Sequence, residues 1–374
     1  MRKRTFEHNA SINMWGYSKI CPNFKFREKL SKTIDCTYGI CNTFDTFISP
    51  KTHQTYILFS NKIDTVVTIY IYSTQKKEVI KKLSPCIHTK DIRLLKYFTN
   101  KSKKREIIIS ADCDGIVCIW AYNTNNYVLK HKINSYQNDI YSCLILFKSD
   151  NYLKIDDDYI IFGCESISEE ENACTKVYSI NKGNHIRNVI STNKEKIRNL
   201  LMWYNKKNKE SYLICLALDK ILVINFIKNK KEKEFITKEK NTYNCGFIYN
   251  EKNDEKKDKS YLCCTSSTGH VIVFDLEEGT QTCDIFLKPN IHRVYDILPW
   301  NENYFIVADT LDNGFLIFGF KNGGKIMPIS SINGIDEDDI ECIRKINHPE
   351  YGECIVTGSH KNYIKIFGYI SDKY

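Results

Sequence analysis

One pattern recurs along the chain and limits what it can become. Residues 105–122 (REIIISADCDGIVCIWAY) read as two strands joined by a tight turn: an apolar, β-branched run, turn residues at 112–115, then a second apolar run carrying Trp120. Paler copies of this pair occur throughout. Aligned on Trp120, every copy has a large apolar residue at the same point: Tyr70, Trp120, Tyr178, Ile224, Phe274, Phe318 and Phe367. The steps between them run from 44 to 58 residues.

Each copy also holds the same order of parts. A first strand opens it, as in residues 139–147, 196–204 and 293–300; a polar loop follows, then the central strand pair, as in 260–276 and 354–369. A more polar outer strand ends the unit, as in 127–133 or 282–287, which suits the solvent edge of a sheet. A period of about fifty residues with four short strands per unit marks a propeller blade. The predicted fold is therefore all-β: a seven-bladed β-propeller of four-stranded antiparallel blades.

The last copy runs out of residues after its third strand. Residues 24–34 (FKFREKLSKTI) alternate like an edge strand, and they are expected to complete the last blade and close the ring. This gives one propeller domain over 24–374 and an N-terminal arm over 1–23, packed through Trp15 and Tyr17.

Composition agrees with this reading. A chain of 374 residues with 42% hydrophobic content can bury a large core, and 13% aromatic residues favour strands. The formal charge of +9 is mild for this length and reads first as solubility. Of the 16 cysteines, Cys118, Cys215, Cys263 and Cys354 sit inside apolar strand patterns. Placed as small core residues behind an N-terminus with no secretory leader pattern, they point to free thiols in a reducing, intracellular compartment, cytoplasm or nucleus. No Cys-x-x-Cys pair occurs, and His88, His292 and His348 have no partners at metal-ligand spacing, so no metal or other cofactor is expected. The longest apolar runs, such as 213–218, are too short to cross a membrane.

No catalytic constellation stands out either. His185, His270 and His360 lie in turn-like contexts without a nucleophile motif beside them. Gly323 and Gly324 form a turn between strands rather than a phosphate cradle, and the acidic residues 336–339 lack the spacing of a calcium loop.

Across essentially its whole length the sequence resembles the WD-repeat β-propeller family. Mapped residue by residue, the second copy offers His88, Ser110, Asp114 and Trp120 for that family's hydrogen-bonded structural tetrad. The first copy keeps Ser60 and Asp64 before Tyr70, whereas Leu218 and Lys361 stand at the Asp position of the fourth and seventh. Only Asp275 matches the Asp that follows the aromatic, and no Gly-His pair precedes a first strand. The resemblance implies that the starts of the first strands line the mouth of a central channel, where a partner peptide docks. The aligned residues are Gly39, Arg93, Tyr141, Arg198, Asn244, Tyr295 and Glu341.

The loops also sort by face under this alignment. Acidic residues (Asp112, Asp114, Glu165, Glu169, Glu170, Glu171, Asp312 and 336–339) fall on the channel-mouth side, and basic ones (Lys101, Lys103, Lys104, Arg105, Lys206, Lys207, Lys209, Lys230, Lys231) on the other. A basic peptide or partner above and an acidic surface such as RNA below would match that polarity. The expected function is a non-catalytic scaffold or adaptor, a monomeric propeller within a multiprotein complex. The alternative is a nucleic-acid or phosphoinositide binding module that uses the basic loops.

Overall fold

The computed structural model describes residues 26–28, 34–35, 44–63, 65–100, 105–135, 138–150, 153, 155–165, 175–189, 196–236, 243–251, 259–287, 294–309, 314–332, 339–359 and 363–369. Every regular element among them is a β-strand, and the strands form seven antiparallel sheets taken in chain order. The innermost strands of blades one to seven are Asp45–Ile48, Ile92–Asn100, Asn138–Leu146, Asn199–Asn205, Tyr243–Glu251, Ile297–Pro299 and Ile340–His348. Each packs beside the next, and that of blade seven packs beside that of blade one, so the sheets stand in a closed ring.

The core explains why the middle strands are apolar without a break. Ile107 and Ile109 of blade two pack into the interface with blade three, while Ile108 between them packs towards blade one. Leu213 and Cys215 of blade four face blade three in the same way, and Ile214 and Leu216 face blade five. A strand covered on both faces needs hydrophobic residues at every position, not at alternate ones. The described core accordingly divides into seven hydrophobic clusters, one between each pair of neighbouring blades. The aligned residues Trp120, Tyr178, Ile224, Phe274, Phe318 and Phe367 are all buried, and Tyr70 is half-buried against Phe59. Cys118, Cys215, Cys263 and Cys354 are free thiols in this core and fully buried. The outer strands are open by contrast; Val79 and Ile80 of Glu78–Lys82 are 47% and 40% exposed.

The expected N-terminal closing strand falls mostly outside the described residues, as does the arm over 1–23 with Trp15 and Tyr17. Of that segment, Phe26–Glu28 and Ile34–Asp35 run antiparallel to Tyr363–Tyr369 of blade seven. Glu169, Glu170 and Glu171 of the expected acidic face also lie outside the described residues.

Polar ties cross the interfaces beside the hydrophobic clusters. Arg105 of blade two pairs with the buried Asp158 of blade three, Nη1 to Oδ2 at 2.6 Å. This corrects its sequence assignment as a loop cation: it lies at the start of Arg105–Asp112, half-buried, and neutralises a carboxylate. Between blades one and two the buried Glu106 accepts hydrogen bonds from the hydroxyls of Tyr97, Tyr127 and Ser49. A buried carboxylate needs such donors, since desolvation is otherwise costly.

Candidate functional site

His88, Ser110 and Trp120 meet in the interior of blade two, but the carboxylate beside them is Asp112, not Asp114. His88 Nδ1 lies 2.8 Å from Asp112 Oδ2 and its Nε2 lies 2.8 Å from Ser110 Oγ, which also accepts the Trp120 indole N–H at 3.0 Å. The reason for the correction is strand alternation. The strand continues through Asp112, so residues 110 and 112 point to one face, whereas Asp114 sits exposed at the tip of the turn. The second oxygen of Asp112 accepts the backbone N–H groups of Asp114 and Ile116 and so shapes that turn. Asp112 is therefore withdrawn from the surface and cannot contribute to an acidic face.

The six described mouth residues share one cavity. Arg93, Tyr141, Arg198, Asn244, Tyr295 and Glu341 all line the central channel, which encloses about 720 Å³; Gly39 lies outside the described residues. Their local backbone explains why. In blade two the pairing steps from Ile92 with Asp112 to Leu94 with Ala111, leaving Arg93 as the extra residue of a β-bulge. Tyr141, Asn244 and Glu341 occupy the same place in blades three, five and seven. A bulge re-aims one side chain without breaking the strand. The residue before each mouth position is buried: Ile92, Ile140, Ile197, Tyr243, Val294 and Ile340. It anchors the strand start while its neighbour turns into the channel.

The channel is electrostatically uneven. On the side of blades six, seven and one, Arg344 is held by two carboxylates, Asp296 at 2.5 Å and Asp45 at 3.4 Å. Those carboxylates also accept backbone N–H groups of neighbouring blades, Asp296 from Ile343 and Asp45 from Tyr97. This triad staples the last blades to the first, and sequence reading missed it. The only signal available was an Asp directly after the mouth residue Tyr295. Asn244 is likewise partly structural, since its side-chain amide donates to Val294 O of blade six at 2.8 Å. On the side of blades two to four, the Arg198 guanidinium lies over the Tyr141 ring, 4.1 Å from its centre.

Three cysteines, Cys143, Cys245 and Cys342, also line the channel. Burial pushes the Cys342 thiol up to about 12 against the pull of Arg344 and Lys96, and raises those of Cys143 and Cys245 as well. They are therefore protonated at neutral pH and poor nucleophiles. Among the described residues no helix is long and apolar enough to cross a membrane.

No family model and no curated protein matches the chain. Solved structures do: 1281 chains match, a breadth that speaks to architecture rather than to a shared role. One is the crystal structure of Chaetomium thermophilum Raptor, with a TM-score of 0.66 at 10% identity. The match covers 94% of this chain and 29% of that one, so the chain spans less than a third of the Raptor chain. At that identity the likeness is one of fold: a seven-bladed β-propeller.

Proposed function

We propose that the chain is a divergent WD-repeat propeller, spanning residues 24–374, that serves as a non-catalytic platform for protein–protein interaction in an intracellular complex. A partner peptide docks in the mouth of the central channel. The observation that carries this reading is the convergence of six residues, from blades two to seven, on one cavity of about 720 Å³. Cavities of this size with aromatic and arginine walls suit side-chain insertion, because both residue types supply contact area at low entropic cost. The tetrad of blade two supports the family assignment, and the raised thiols of the channel argue against cysteine chemistry there. Buried free cysteines fit a reducing compartment.

The alternative, binding of RNA or phosphoinositide through the basic loops, draws on the exposed Lys206, Lys207, Lys209 and Lys230. Neighbouring cations are already engaged: Lys228 with Glu210, Lys231 with Glu234 and Arg105 with Asp158. The basic face is thus partly neutralised, which favours the first reading.

Affinity capture with the wild type and with an Arg93→Ala/Arg198→Ala double variant tests it. Partners lost selectively from a folded double variant are the expected result. An unchanged partner set removes the channel mouth as the docking site.

A further inference from the structure

The channel mouth divides into two arcs of different charge. Among the described residues, the lining from blades two to four includes three cations, Arg93, Lys96 and Arg198, and no carboxylate. Those from blades five to seven include Asp296 and Glu341 with one cation, Arg344, which the carboxylates of Asp296 and Asp45 already hold. On the first arc, Lys96 and Arg198 carry charge that no ion pair among the described residues offsets.

Arg198 is the most constrained member of that side. Its guanidinium rests on the Tyr141 ring, and its Nε is buried without a hydrogen-bond partner among the described residues. An aromatic face holds a guanidinium flat and satisfies its charge only in part, leaving its terminal nitrogens to pair with a planar or tetrahedral oxyanion. Lys96 lies three residues beyond Arg93 on the same inner strand, roughly 10 Å deeper at strand rise. It lines the same cavity as Arg93 and Arg198. Neither Arg198 nor Lys96 forms an ion pair among the described residues.

We propose that the channel mouth receives an acidic side chain of the partner peptide, a carboxylate or a phosphate, on the arc of Arg93, Tyr141 and Arg198, with Lys96 below it. The proposal rests on the channel-docking reading above and names the chemistry of its ligand. It departs from the basic peptide expected from the loops, because the cations lie inside the mouth and Asp112, one of the supposed surface acids, is buried. The opposite arc decides between an acidic peptide and a nucleic acid. That arc places two carboxylates, Glu341 and Asp296, beside one cation, Arg344, a lining that disfavours a polyanion whose charges fill the cavity, while a single acidic side chain can keep to the cationic arc.

Fluorescence anisotropy on the full chain tests the proposal. The probes are four labelled degenerate peptide pools that differ only at a fixed central residue: glutamate, phosphoserine, glutamine or lysine. At least one of the first two pools is expected to bind about tenfold or more tighter than the glutamine pool, with lysine weakest. The glutamate and phosphoserine arms then separate carboxylate from phosphate. Arg198→Gln is expected to abolish the preference, and Lys96→Met to reduce it in a chain whose Arg198 platform is intact. Either variant suffices if the other fails to fold, as judged by its thermal midpoint. Equal binding of the glutamate and glutamine pools, or a lysine preference, overturns the acidic specificity. If partner capture is still lost in a Tyr295→Ala variant, the docking reading survives that failure. Binding of an oligouridylate in place of every peptide pool, lost in Arg198→Gln, overturns both.

Discussion

Asp112 and Asp114 stand two residues apart, and the fold gives them opposite environments. Asp112 is buried and bridges His88 to the turn, whereas Asp114 is exposed at the turn's tip. Asp112→Ala should cost about 1–3 kcal/mol, because it leaves a buried imidazole and two backbone N–H groups without an acceptor. Asp114→Ala should stay within about 0.5 kcal/mol of wild type. Denaturant midpoints for the two variants check the pair, and equal losses would return the carboxylate role to Asp114. The residue types of the tetrad were thus legible in the sequence, and the position of one was not. Whether a strand ends at Ser110 or at Asp112 depends on pairing with Ile92, which no local pattern records. A second residue-scale effect concerns His348, buried and stacked on Tyr351 with its Nδ1 accepting the Glu350 N–H. Burial holds its imidazole below the ordinary value of 6.5. The unfolded chain then takes up a proton at a higher pH than the folded one. Stability contributed by the neutral ring is present above 6.5 and is lost as pH falls from there towards the lowered folded value. His348→Phe should shrink the drop in thermal midpoint between neutral and mildly acidic buffer, and an unchanged drop would exclude His348 as its source.

At the scale of single elements, the inner strands carry the residues that line the channel and the last strand carries the seam. Four of the six mouth residues owe their direction to a β-bulge. The sequence shows this as a buried apolar anchor followed by an outlying residue, as in Ile92-Arg93, Ile140-Tyr141 and Ile340-Glu341. The alignment could find these positions because each of blades two to seven keeps the anchor. It could not find the Arg344 staple, whose three members come from blades one, six and seven and share no repeat position. The seam itself is proposed to be completed by the N-terminal segment, of which Phe26–Glu28 and Ile34–Asp35 lie against Tyr363–Tyr369. Without them, one side of Tyr363–Tyr369 presents unpaired backbone groups, a template for pairing with another chain. Deleting residues 1–35 should therefore lower the thermal midpoint and introduce concentration-dependent self-association, read by light scattering. A deletion variant that stays monomeric with the wild-type midpoint would refute the closing strand.

For the whole molecule, the seven interfaces decide how stability is distributed. In an open stack of repeats each unit meets only its neighbours, end units fray, and unfolding can proceed in stages. Here the inner strand of blade seven packs on that of blade one, and the cluster between them includes Phe44, Ile57, Cys354 and Ile366. Each buried side chain of this size is worth roughly 1.5–3 kcal/mol, so opening any one interface forfeits a large part of the total stability. A ring thus has no cheap end from which to unravel. Three tryptophans are placed to test this: Trp120 in blade two, Trp203 in blade four, and Trp300 just after the inner strand of blade six. All three are buried, so each reports its own neighbourhood. Chain labelled with fluorotryptophan at all four tryptophans and unfolded in urea should show the ¹⁹F resonances of these three vanishing at one midpoint, each of the four signals, Trp15 included, assigned by a single Trp→Phe substitution. Coincident probes are the signature of one cooperative unit. If Trp203, farthest around the ring from the seam, persists well beyond Trp120 and Trp300, the assembly opens at blades seven and one before it melts, and the closed ring described here is its weakest property rather than its source of stability.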